Sequence, residues 1–317
     1  MCEYSDGANE KQEMSPGFSL THLHIAFKSA HLHIQNPHIV FTLILNLTIM
    51  PPEKEKTSPK ILYSCYSHTS REGEQFIADH IFGYILSGSS DLYMNGKMYV
   101  FNEGDFRFIR KNQLAKFAKH PPKGGEFKTI SIVMDKDTLR SVSEELNLQM
   151  THPYTGESAL LLQPNNLFKN YIESLTPYMD GSGNTNKMLT NLKVKEAILI
   201  LLQTNPELKD VLFDFSEPGK IDLEAYMNEH YKFNVDINRF AYLTGRSLAT
   251  FKRDFEKIFN TSPNKWLQHK RLNDAYFLIK EKGWKTSDVY MEVGFKDFSH
   301  FSFAFKKAYG VAPSRLS

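Results

Sequence analysis

Two stretches of the chain share one pattern: "GRSLATFKRDFEKIF", starting at Gly245, and "FKDFSHFSFAFKKAY", starting at Phe295. At an offset of fifty, Phe251 aligns with Phe301, Phe255 with Phe305, Lys257 with Lys307, Phe259 with Tyr309 and Pro263 with Pro313. Aromatic residues at i, i+4 and i+8 fall on one face of a helix. Each aromatic helix has the same prelude: a short amphipathic segment ("VDINRFAYLTGRS" or "KTSDVYMEVGFKD"), a turn holding Gly245 or Gly294, and a capping residue, Ser247 or Asp297. Helix, tight turn and capped second helix is the order of a helix-turn-helix DNA-binding unit. The chain carries it twice.

Between the copies, Ser262 and Pro263 form an N-cap and N1 pair for a connecting helix running to about Lys282. Some 20 residues give roughly 30 Å, close to the ~34 Å of one turn of B-DNA. Two recognition helices at that spacing can enter successive major grooves on one face of a duplex. The difference in length implies that the DNA bends or that one helix inserts less deeply. Charge is polarised to match: from Lys220 onward, 17 Lys and Arg face 11 Asp and Glu, whereas the preceding residues carry 21 against 25. A basic C-terminal module suits a polyanionic partner.

Over about a third of the chain, "FAYLTGRSLATFKRDFEKIFNTSPNKWLQHKRL" and "VYMEVGFKDFSHFSFAFKKAYGVAP" resemble the tandem helix-turn-helix domain of AraC/XylS-type transcription regulators. Helical phasing turns Phe251, Phe255 and Ile258 towards the core and leaves Ala249, Lys252, Arg253 and Glu256 opposite. The resemblance puts base-contacting positions on Ala249, Lys252 and Arg253, and the capping Ser247 joins the expected DNA-binding set. In the second helix it puts them on Phe298, Ser299 and Phe303, with His300, Ser302 and Lys306 as phosphate ligands. Phe303 departs from the family, which commonly has arginine there, so specificity is expected to rest on the first helix. Tyr290 also departs, standing where alanine is usual and requiring compensating space. Trp266, Phe240, Leu243, Ala275 and Phe295 are read as core.

The whole chain is read as α+β. From about Ile61 to Val133, short β-branched and aromatic runs between turns, with Asn95-Gly96 as a hairpin signal, indicate an antiparallel barrel or sandwich. "FNEGDFRFI" resembles the cupin-like sensor domains of bacterial regulators, and the fold expected is a cupin-like antiparallel β barrel with a helical dimerisation arm. The expected divisions are an extension over 1–59, a sensor over 60–150, a helical arm and linker over 151–215, and the DNA-binding domain over 216–317. A short helix begins after Asp135 or Asp137, a loop holds Pro153, Gly156 and Pro164, and helices follow over 166–178 and 187–203. The last has an apolar stripe of Leu189, Leu192, Ala197, Ile198, Leu201 and Leu202 that reads either as a dimerisation surface or as a lid on the β domain.

Partners expected are double-stranded DNA, a second copy of the chain, a small-molecule effector lined by residues such as Tyr84, Tyr93, Phe106 and Phe108, and RNA polymerase if the chain is an activator. The competing classes are a cupin-type metal enzyme and an effector-independent repressor or architectural protein. The first would need clustered metal ligands. Here the H-x-H pairs, His22 with His24 and His31 with His33, lie in the N-terminal extension, and His68, His80 and His120 are scattered. No cofactor or enzyme activity is implied. Two cysteines, Cys2 and Cys65, support neither a disulfide framework nor a zinc site, so a cytoplasmic setting is expected. The apolar run Ile39–Met50, about 12 residues, is short of the ~20 that cross a bilayer. Residues 1–49 are either upstream translated sequence before a native start at Met50 or a genuine extension.

Overall fold

The computed structural model describes residues 60–69, 75–178 and 186–316; the expectations for residues 1–49 fall outside them. Nine strands come first: β1 Lys60–Tyr66, β2 Gln75–Ile77, β3 His80–Ser87, β4 Ser89–Met94, β5 Lys97–Asn102, β6 Phe106–Ile109, β7 Gln113–His120, β8 Phe127–Met134 and β9 Ala159–Leu162. They form two antiparallel sheets, ordered β1-β8-β3-β6-β9 and β2-β7-β4-β5. The expected barrel is therefore not closed: no ladder joins the two sheets, which face each other as a sandwich. Asn95 and Gly96 make the two-residue β4–β5 turn, both with positive φ and with Met94 paired to Lys97. Strand β9 lies in the stretch read from sequence as loop. It is only four residues long and is fixed by pairing with β6, a contact invisible to local pattern.

Alternation along the five-stranded sheet serves two cores. Phe82, Phe106, Phe108, Ile130 and Ile132 point outward beneath helices α1 (Lys136–Leu146), α2 (Asn166–Glu173) and α3 (Lys187–Thr204). Ile85, Phe127 and Ile109 point inward against Leu92, Met94 and Phe101 of the other sheet. Phe106, Phe108 and Tyr84 therefore pack under the helices rather than lining the sandwich interior, and Tyr93 is exposed. Asp135 caps α1 by accepting from the Asp137 and Thr138 amides. Helix α3 divides the predicted stripe: Ala197, Ile198 and Leu201 are buried on the sheet, whereas Met188, Leu189, Leu192 and Leu199 are exposed.

His80, at the start of β3, is buried and accepts the Lys111 amide at Nδ1, 3.3 Å away. Burial above all, then the charges of Lys111 and Arg110, holds its pKa well below the ordinary 6.5. The folded state keeps His80 neutral, while the unfolded chain takes up a proton below about 6.5. Its effect is nil at higher pH and grows as pH falls beneath 6.5, reducing stability by up to ~1.4 kcal/mol per pH unit. The variant His80→Gln retains an acceptor and is expected to lessen this acid limb in urea unfolding followed from pH 8 to 5. An identical limb in the variant would assign it to other groups.

The remaining chain is helical: α4 Lys209–Leu212, α5 Leu223–His230, α6 Ile237–Leu243, α7 Leu248–Phe259, α8 Pro263–Lys280, α9 Thr286–Glu292 and α10 Phe298–Tyr309. It meets the sandwich at the β2–β7 edge. Leu114 is buried in the same cluster as Phe240 and Phe251, Phe76 packs edge-on to Tyr242, and Arg239 lies 4.6 Å over the Phe76 ring. Burial and a hydrogen bond to Glu217 push the Tyr242 hydroxyl up to about 12, so it stays a donor to a carboxylate that also binds Lys136 at 2.8 Å.

Candidate nucleic-acid interface

The doubled sequence pattern becomes two helix-turn-helix units. In the first, α6 and α7 are joined through Gly245, and Ser247 Oγ accepts the Thr250 amide at 3.3 Å. In the second, α9 and α10 are joined through Gly294, and Asp297 accepts the His300 amide at 2.7 Å. Both glycines have positive φ and leave no room for a side chain: a Cβ would strike the backbone of Gly219 or the carbonyl of Lys232. Each unit has its own core. Phe240, Leu243, Phe251 and Phe255 fill the first, and Val289, Phe295, Phe301 and Phe305 the second.

The spacer α8 belongs to both. Leu267 near its start is buried in the first core, and Leu272, Ala275 and Ile279 are buried in the second. Arg271 fixes its middle, donating from Nε to the Tyr231 carbonyl and from Nη2 to the Phe233 carbonyl, each at 2.8 Å. A helix anchored at both ends and the centre cannot pivot without uncovering one core. Its 18 residues span roughly 27 Å.

On α7, Ala249, Lys252, Arg253 and Glu256 are exposed on the face opposite Phe251 and Phe255, with the capping Ser247 exposed beside them. Arg253 is only loosely held, its Nε 3.8 Å from Asp254 Oδ1. The Asp254 carboxylate is engaged more closely by the buried Arg246 at 3.2 Å, which with Lys220 and Arg253 holds it below the usual carboxylate range. Ile258 departs from expectation: it is 40% exposed. Phe259, its ring tilted against Phe255 at 4.3 Å and against the half-buried Trp266 at 4.6 Å, continues the i, i+4 stripe in its place.

On α10, Ser299, His300, Phe303 and Lys306 are exposed and Ser302 half-buried, with Phe303 71% open. Phe298 is partly exposed, but Tyr290 packs edge-on against its ring at 5.5 Å. The space Tyr290 requires is thus found at the surface, beside the first residue of α10. This contact makes Phe298 a neighbour of the core as much as a surface group.

Between the two units lies a cleft of about 710 Å³ lined by Asn238, Lys252, Gln268, Arg271, Lys296 and His300, among others. It brings Lys252 of α7 and His300 of α10 to one depression. Asn238, Gln268 and Lys296 were not singled out from sequence, since each sits on a different element and no spacing links them. Among the described residues no group of three or more His, Cys, Asp or Glu is placed to hold a metal ion, and His120 pairs with Asp91 at 2.9 Å. No helix among them is long and apolar enough to cross a membrane.

Two family profiles match: an ExsA N-terminal regulatory domain over residues 80–211 and a helix-turn-helix domain over residues 240–317. The chain is similar to the thermoregulatory protein LcrF of Yersinia pestis, 23% identical over 241 residues covering 73% of this chain and 86% of that protein. It is similar to the HTH-type transcriptional regulator ExsA of Pseudomonas aeruginosa, 29% identical over 130 residues, 40% of this chain and 47% of that protein. The virulence regulon transcriptional activator VirF of Yersinia enterocolitica is 22% identical over 241 residues, 73% of this chain and 86% of that protein. The doubled, capped helix-turn-helix on a shared spacer and the two matching profiles together make this chain a member of the AraC/XylS-type, DNA-binding transcription regulators.

Proposed function

We propose that the chain is a cytoplasmic, non-enzymatic transcription activator that grips double-stranded DNA with α7 and α10 in successive major grooves. The observation that carries this reading is the spacer α8, buried in both cores and pinned by Arg271, which holds two exposed recognition faces at a set separation. Ala249, Lys252 and Arg253 read bases, and Ser247 and Glu256 border them. Ser299 and Phe303 offer a hydroxyl and an apolar face, the latter suited to a thymine methyl. His300, Ser302 and Lys306 take phosphates, and the cleft with Lys252, Lys296 and His300 receives the backbone that passes between the grooves. Activation, and with it contact to RNA polymerase, is supported by the similarity to VirF, a transcriptional activator. Selection of bound duplexes from a random pool tests the reading. It expects two recurring half-sites about one helical turn apart; no enriched sequence at moderate salt would overturn it.

The sensor domain is proposed to respond to a small-molecule effector and to dimerise. Dimerisation is supported by the exposed apolar row Met188, Leu189, Leu192 and Leu199 on the outer side of α3, whose inner side is already committed to the sheet. A second copy placing the same row against it would cover both. Leu192→Asp, which sets a charge in that contact, is expected to raise the dimer dissociation constant at least about tenfold. Sedimentation over a concentration series reads this, and an unchanged mass distribution would move the interface elsewhere.

A further inference from the structure

The loop over residues 231–235, between α5 and α6, belongs to the first helix-turn-helix unit, where Phe233 is buried in the cluster of Phe240 and Phe251. It also touches the second unit. In the turn between α9 and α10, a Cβ on Gly294 would lie 2.2 Å from the Lys232 carbonyl oxygen and 3.1 Å from Arg271 Nε, so the two backbones meet with no side chain between them. The Lys232 ammonium sits 3.8 Å from Asp274 Oδ2 on the spacer α8 and 3.7 Å from Glu292 Oε1 at the end of α9. Tyr231 donates its hydroxyl to the same Asp274 carboxylate. One short loop of the first unit thus ties the spacer to the second.

These contacts supply what α8 alone does not. A helix of 18 residues fixes a separation, but helices bend, and a small bend at the centre swings the far unit. The loop braces that centre, where Arg271 donates to its Tyr231 and Phe233 carbonyls, and then reaches past the spacer to α9. The joint is also part of the cleft between the recognition helices: Val235, Arg271 and Gly294 line it together with Lys252 of α7 and His300 of α10. A shift at the joint therefore alters the distance between the two reading faces. Lys232 is the charge that holds the joint closed. Asp274 and Glu292 are both acidic, and without the ammonium between them they repel across the α8–α9 contact.

We propose that Lys232 is a positioning residue of the DNA interface: with its loop it sets the angle between the two units, and so the number of base pairs the chain requires between its half-sites. Helices α7 and α10 read base identity, whereas this joint reads spacing. The inference deepens the proposed function and rests on it, since two grips must exist for a spacing to be measured. One base pair added between the half-sites carries the second roughly 3.4 Å along the duplex and about 35° around it. Either the joint yields or the DNA deforms to compensate.

The test is binding of the full chain, at constant ionic strength, to duplexes carrying the selected half-sites at their selected spacing or with one base pair added or removed. Wild type is expected to bind the altered spacings about tenfold or more weakly. Lys232→Met keeps the side-chain stem and removes the charge. It is expected to hold affinity for the selected spacing within about threefold, to keep base preference within each half-site, and to cut the spacing penalty at least about threefold, the reach of a partly exposed ion pair. Glu292→Gln is expected to lower the same penalty, and the double variant to lower it no further than Lys232→Met, because one tie is lost in each case. A Lys232→Met protein with the wild-type spacing profile, or one that weakens every duplex alike, overturns the inference, the latter by giving Lys232 a folding or phosphate-binding role. If Lys232→Met does not fold, Glu292→Gln, whose side chain is 42% exposed, carries the test, and an unchanged penalty there overturns the inference as well. Wild type sensitive to spacing beside variants equally sensitive leaves the two-grip reading standing and defeats only the joint. Wild type that binds every spacing equally defeats the reading itself, and the joint with it.

Discussion

Replacing Phe255 by alanine is expected to destabilise the first helix-turn-helix unit by about 3–5 kcal/mol and to abolish DNA binding at physiological temperature. The ring is fully buried and touches three other aromatics, with centroids 5.6 Å from Phe251, 4.3 Å from Phe259 and 5.6 Å from Trp266. Truncation removes the apolar transfer energy and leaves a cavity that flat, interlocked rings cannot collapse to fill. The loss is also transmitted, because Leu267 of the spacer shares this core. By contrast Lys257→Ala, equally part of the repeated pattern but exposed, is expected to stay within about 0.5 kcal/mol. Denaturant unfolding and limited proteolysis of the full chain check the pair. A Phe255→Ala protein as protease-resistant as wild type would mean that the aromatic stripe is not the unit's core.

The second large effect is on reading sequence. Arg253→Ala should weaken operator binding roughly 5- to 150-fold and relax preference at one base pair, as expected for loss of a forked contact to guanine O6 and N7. Its side chain is 73% exposed and Asp254, the one acid paired with it among the described residues, is already claimed by Arg246, so little holds it back from a base edge. Lys306→Ala should instead weaken all sequences alike and lower the salt slope by about 1, the signature of one phosphate contact. Should Arg253→Ala leave both affinity and base preference untouched, the assignment of α7 as the reading helix fails.

The parts of the interface that were legible in sequence are those fixed by local geometry. Phe251 and Phe255 sit a helical turn apart, Ser247 and Asp297 are side chains able to hold an amide three residues on, and Gly245 and Gly294 stand where the backbone must take positive φ. Each of these constraints acts within about five residues, so it is written in the order of the amino acids. Ile258 shows the limit: helical phasing alone made it as inward as Phe255, but which flank of a helix is covered depends on what packs beside it. Tyr290 and Phe298 show it again, since eight residues and a turn separate two rings that meet only once α9 and α10 have docked.

By itself, the sequence determined that this chain carries two capped, aromatic-cored helical units on a spacer of nearly one DNA turn, preceded by a β-rich region with its Asn95-Gly96 hairpin. Only the tertiary structure decided that the β region is an open pair of sheets with β9 added to its edge. It likewise decided that α3 spends half its apolar surface on the sheet, that Lys252 and His300 share a cleft, and that Lys232 of the first unit meets Asp274 and Glu292. The reason is range. Capping, turn conformation and helical periodicity are short-range energies, whereas strand partnering, burial and the pairing of polar groups depend on residues brought together from distant positions. For those, the chain order sets no distance until the fold does.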